Sequence, residues 1–97
     1  MIEDRRKYIA DNFGDDIIVF DDPEFDCAII GVSSDNRAIY DYDKMVEGLT
    51  EEFIETGNGP DARTMAIEWI EYNTLRSLPY VEKSPIVMYS IENEFED

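Results

Sequence analysis

Apolar positions change period along this chain, and each change marks an expected element. Over 3–13, Ile2, Ile9 and Phe13 recur near one helical face, with Asp and Glu in the first turn and Gly14 placed to stop the helix. Asp16-Ile17-Ile18-Val19-Phe20 is a candidate short extended segment, which Asp21-Asp22-Pro23-Glu24 breaks, so the following residues are expected in an exposed connection. Cys27 to Val32 is a continuous apolar run of strand length, expected as a central strand covered on both faces. After the polar tetrad Ser33-Ser34-Asp35-Asn36, residues 37–42 alternate, with Ala38, Tyr40 and Tyr42 on one side. Together these two runs predict a β-hairpin.

Asp41 or Asp43 then caps a helix in which Met45, Leu49 and Phe53 recur every four residues, with Val46 and Ile54 beside them. Gly57-Asn58-Gly59-Pro60 breaks the chain, and Asp61 is placed to cap a third helix through about Leu75. Its predicted stripe is Met65, Ala66, Trp69 and Asn73, flanked by Ile67 and Ile70. The polar groups of Asn73, Arg76 and Ser77 fall where that helix ends and suit its orphan carbonyls. Pro79 and Pro85 bracket a loop before a last strand at 86–91. The implied architecture is a single α+β domain over 1–97: a two-layer sandwich of helices on a three-stranded antiparallel sheet, with residues 16–20 as a candidate fourth strand and 92–97 as a flexible acidic tail.

Charge alters this picture more than any motif does. The chain has 24 Asp and Glu against 8 Lys and Arg, a formal net charge of -16. Seven acids and no base lie between Asp11 and Asp26, five and no base between Glu47 and Asp61, and four among 92–97, and these three segments account for the whole imbalance. Elsewhere acids and bases balance, with Arg5, Arg6 and Lys7 clustered in the first helix. Like charge at this density repels itself in the compact state, so it serves solubility or a cationic partner. It opposes direct nucleic-acid binding, which makes the aromatics Tyr40, Tyr42, Trp69 and Tyr72 core or partner contacts rather than base-stacking platforms.

Other chemistry is thinly represented. No cofactor is implied: there is no His, and the one Cys cannot form an internal disulfide, which fits a reducing, cytoplasmic setting. Cys27 opens an apolar run without a neighbouring base and reads as a small buried hydrophobe. Asp21-Asp22 and Asp41-x-Asp43 are the carboxylate pairs a hydrolase would need, but such pairs work across a cleft about 5–10 Å wide that adjacency does not supply. Neither Asp21 to Asp26 nor Ser33 to Asp43 matches a calcium loop, so no metal is expected. No stretch approaches the ~20 apolar residues of a membrane span.

Asp26 to Val32, the Ala38 to Val46 junction, Glu71-Tyr72-Asn73-Thr74 and Leu78-Pro79-Tyr80 together resemble a small uncharacterised acidic protein family of gut Firmicutes and their phages or mobile elements. The resemblance covers roughly 17–91 and implies a mobile-element accessory protein. Such elements often encode acidic inhibitors of restriction or CRISPR nucleases. The expectation is a non-enzymatic interaction module, an acidic nucleic-acid mimic that docks on the basic surface of a nucleic-acid-binding protein. Its expected contact residues are Asp15, Asp16, Asp21, Asp22, Glu24, Asp26, Glu51, Glu52 and Glu55. The alternative is a structural or oligomeric accessory module that associates through a sheet edge or aromatic face, its acidity keeping it soluble.

Overall fold

The computed structural model describes residues 4–91, so the acidic tail at 92–97 and the expected helix start at Glu3 lie outside the described residues. Helix α1 (Arg5–Phe13) is capped by Asp4, whose side chain accepts from the Lys7 amide at 3.0 Å. Gly14 ends it as expected, at φ 115°, a conformation open to glycine and strained for other residues. The first turn is basic, not acidic, with Arg5, Arg6 and Lys7 standing where the helix dipole disfavours cations. Local partners offset this: Lys7 donates to Asp11 at 2.8 Å, Arg5 to the Ile29 carbonyl at 2.6 Å, and Arg6 to Asp26 and the Phe20 carbonyl.

Pro23–Ala28 departs furthest from the sequence reading. It forms a 3-10 helix in which Phe25 is 0% exposed, so this part of the acidic segment is a packed element rather than an exposed connection. The apolar run after it therefore opens inside a helix, and strand β1 (Ile29–Val32) is shorter than expected. Cys27 is exposed, not buried.

Strand β1 is also an edge rather than the centre: the order is β1-β2-β3, with β2 (Ala38–Asp41) in the middle and β3 (Ile86–Met88) beyond it. β1 and β2 make the predicted hairpin through the 33–37 turn, where Asn36 takes φ 63°. The expected antiparallel sheet is in fact mixed, because β2 and β3 run parallel. Helices α2 (Tyr42–Glu55) and α3 (Ala62–Trp69) lie between these two strands, and a crossover of that length returns the chain to start β3 in the direction of β2. Residues 16–20 join no ladder. Side chains hold them instead: Arg6 takes the Phe20 carbonyl, and the Phe20 amide donates to the Tyr40 hydroxyl at 3.0 Å.

Ile29, Ala38 and Tyr40 from the sheet pack with Phe25, with Met45, Val46 and Leu49 of α2, with Ile9 of α1 and with Ala66 and Ile70 in one cluster. Asp41 caps α2 as predicted, accepting from the Asp43 amide at 3.0 Å. In α3 the buried positions are Ala62 and Ala66, continued by Ile70 and Thr74 at the same four-residue spacing. The expected stripe was thus partly misplaced, with Met65 37% exposed and Asn73 on the surface. Asp61 precedes α3 without making a side-chain cap. Beyond Trp69 the helix widens into a π turn at Ile70–Thr74 and tightens into a 3-10 helix at Leu75–Tyr80, which carries Pro79 inside it rather than in a loop. Asn73 and Ser77 donate to the carbonyls of Trp69 and Thr74, at 3.1 and 2.9 Å, as their position predicted. Among the described residues no helix is long and apolar enough to cross a membrane.

Candidate functional site

The nine expected contact residues fall into separate groups. Asp15 and Asp16 sit exposed in the turn after α1. Asp21, Asp22 and Asp26 gather around Arg6, whose Nε donates to Asp26 at 2.6 Å. Burial works against the Arg6 charge, but the hydrogen bond it donates to Asp26 and the nearby acids outweigh it and raise its pKa above the ordinary value. Asp22 moves the other way from a typical surface acid: burial, with Asp21 beside it, raises its pKa despite the attraction of Arg6. Asp26 is therefore engaged by Arg6 within the fold, and Asp22 is half-buried beside it.

Glu24 belongs with the second acidic segment. Its carbonyl lies against Gly48 so closely that a Cβ at Gly48 would overlap it, and the Cys27 sulfur would stand 3.4 Å from that Cβ. Gly48, Glu51, Glu52 and Glu55 are spaced i, i+3, i+4 and i+7, which places them along one side of α2. All three glutamates are exposed, and none of the described ion pairs, Arg6–Asp26, Lys7–Asp11 and Arg37–Asp35, engages them or Glu24. The structure thus brings the Glu24 backbone to the α2 stripe, leaves Asp26 with Arg6, and places Asp15 and Asp16 apart at the end of α1.

Two residues that organise this surface escaped the sequence reading. Gly48 carried a signal, because a glycine inside a helix costs about 1 kcal/mol relative to alanine and so marks a close approach. Phe25 carried one as well, being the apolar residue between Glu24 and Asp26 in a segment otherwise read as solvated.

The carboxylate pairs weighed for hydrolysis have other occupations. Asp41 caps α2, with Asp43 supplying the amide it holds, and Asp21-Asp22 flank Arg6. Among the described residues no group of three His, Cys, Asp or Glu side chains is placed to hold a metal ion.

An aromatic surface lies on the α3 side. The Tyr42 hydroxyl donates to Glu71 at 3.1 Å, and the Tyr42 and Tyr89 rings pack 4.8 Å apart. Burial and then this bond to Glu71 push the Tyr42 pKa up to about 12. Arg76 lies over the ring of Tyr72, 5.8 Å from its centre, and Tyr72 is 66% exposed.

No protein-family model, curated protein or solved structure matches the chain.

Proposed function

We propose that the chain is a non-enzymatic interaction module, a cytoplasmic two-layer α+β frame whose acidic α2 stripe, joined by Glu24, docks on the basic surface of a nucleic-acid-binding protein. One observation carries this reading: Glu51, Glu52 and Glu55 share a side of α2 on which the Glu24 backbone is seated at Gly48, with no described base pairing these acids. Carboxylates held on a rigid helix and left without internal partners keep their charge for an incoming cation, as phosphates do on a duplex. The reading narrows the expected contact set to Glu24, Glu51, Glu52 and Glu55, with Asp15, Asp16 and Asp21 as peripheral charge.

The test is capture from host lysate at low and high salt, with the partner identified by mass spectrometry and then purified. A DNA- or RNA-binding protein whose affinity falls steeply with salt, and falls again when Glu24, Glu51, Glu52 and Glu55 become Gln, is the expected result. A partner indifferent to both changes would overturn it.

A specific feature favours a second reading, a structural or oligomeric module. The edge strand β1 and α1 flank a groove of about 370 Å³ whose lining includes exposed Tyr8, Phe13 and Ile30. Association through that edge would be nearly insensitive to salt, and the glutamate variants would leave it unchanged.

A further inference from the structure

A second groove, of about 270 Å³, runs between α2 and α3 and is lined by Phe53, Met65, Glu68, Trp69, Tyr72 and Asn73. We infer that this groove receives an arginine side chain from the basic partner, anchoring a contact that the α2 stripe steers. The inference rests on the reading of the chain as a ligand for a basic protein and names the side chain recognised.

The lining matches a guanidinium on an aliphatic stem. Phe53 and Met65 offer apolar wall, and the exposed Tyr72 ring and half-buried Trp69 offer π surface. Arg76 shows that the Tyr72 ring accepts a guanidinium: it lies over the ring from the neighbouring concavity formed with Ile67, Glu68 and Glu71, and it does not line the α2–α3 groove. Tyr72 lines the α2–α3 groove as well. Glu68 supplies the matching carboxylate and enters none of the described ion pairs, whereas Glu71 is held by Tyr42. Asn73 uses its Nδ2 on the Trp69 carbonyl, which leaves Oδ1 as an acceptor.

The backbone explains how these groups came to one place. The π turn at Ile70–Thr74 begins directly after Trp69 and holds both Tyr72 and Asn73, and such turns shift the angular register of the residues they contain. Arginine fits better than lysine because a planar guanidinium stacks on a ring while bonding a carboxylate in its own plane. The charge of the chain opposes an anionic occupant, and a second copy would bring another formal charge of -16.

Trp69 is the only tryptophan of the chain, so its fluorescence reports on this groove. In titrations with oligoarginine and with oligolysine of equal length, oligoarginine should shift the Trp69 emission and bind about tenfold more tightly. Tyr72→Ala combined with Glu68→Gln, both surface changes checked by circular dichroism, should abolish the shift and the preference while leaving salt-dependent binding of both peptides. Glu51→Gln, Glu52→Gln and Glu55→Gln together should weaken both peptides equally and leave the preference intact, which separates failure of the stripe from failure of the groove. Equal affinities with a silent Trp69 would overturn the inference, as would sedimentation showing a dimer that Tyr72→Ala dissociates, since the occupant would then be a second copy.

Discussion

Residues 11–26 and 47–61 are both acidic runs without a base, yet the fold uses their charge differently. In the first, Phe25 is buried, Asp26 is paired with Arg6 and Asp22 is partly buried near Asp21, so several of its carboxylates are tied to the architecture. In the second, helical spacing sends Leu49 and Phe53 inward and leaves Glu51, Glu52 and Glu55 in water without a described partner. The acid count of a segment is therefore not the charge it presents to a partner. A regular helix sorts its acids to the surface automatically, while an irregular segment must neutralise those that its own packing draws in.

The largest way to break the contrast is to remove what draws the first segment in. Phe25→Ala empties a site of zero exposure that packs against Phe20 and Trp69, at ring distances of 6.0 and 6.2 Å. It should cost about 3–5 kcal/mol in chemical denaturation. A loss below about 1 kcal/mol would show that the segment is solvated after all, as the sequence suggested.

Gly48→Ala tests the joint between the two segments. The added Cβ meets a backbone carbonyl, which cannot rotate away as a side chain would, so helix propensity gained at this position should be lost to a larger strain. A destabilisation of about 1–3 kcal/mol is expected, where an exposed helical Gly→Ala would stabilise by about 1 kcal/mol. The sign of the change is the readout. Unchanged or increased stability would mean that Glu24 is not seated on α2, and the combined acidic surface would fall with it.

Regular elements were legible in the sequence, and the places where side chains override the backbone were not. The hairpin, α2 with its Asp41 cap and the Gly14 stop all follow from period, turn chemistry and capping, which act within a few residues. The β1 edge position, the parallel β3 and the placement of 16–20 outside the sheet depend on distant partners: Arg6, the Tyr40 hydroxyl and the crossover through α2 and α3. Counting charge likewise located the acidic segments without showing that Arg6, twenty residues before Asp26, removes one of them from the surface.

Asp26→Asn against Glu52→Gln sharpens the comparison, since each removes the same single negative charge. Asp26 loses a partly exposed ion pair and a charged hydrogen bond, expected to cost about 1 kcal/mol. Glu52, exposed and unpaired, should change stability by less than about 0.5 kcal/mol while weakening partner binding. Thermal denaturation of the two variants side by side decides it, and equal effects would erase the distinction between the segments.

The smallest effect lies at Asp22, and its pH dependence is the most discriminating. Burial raises the folded-state pKa of Asp22 above its unfolded value, so the folded protein binds this proton more tightly than the unfolded chain does. The sign is opposite to that of a salt-bridged acid. The contribution of Asp22 is most favourable below the ordinary carboxylate pKa of about 4 and becomes a penalty as pH rises through the raised folded value. Asp22→Asn removes an ionised carboxylate from a place that disfavours it, and should raise the melting temperature at pH 7 with no change at about pH 3. Glu55→Gln deletes the same unit of charge from the exposed stripe and controls for the general relief of self-repulsion in so acidic a chain. If the gain at Asp22 exceeds the gain at Glu55 near neutrality and the two converge in acid, the first segment carries charge that folding opposes. Parallel curves across the whole range would instead mean that both segments are simply solvated acid, and only the shape of α2 would then set its glutamates apart.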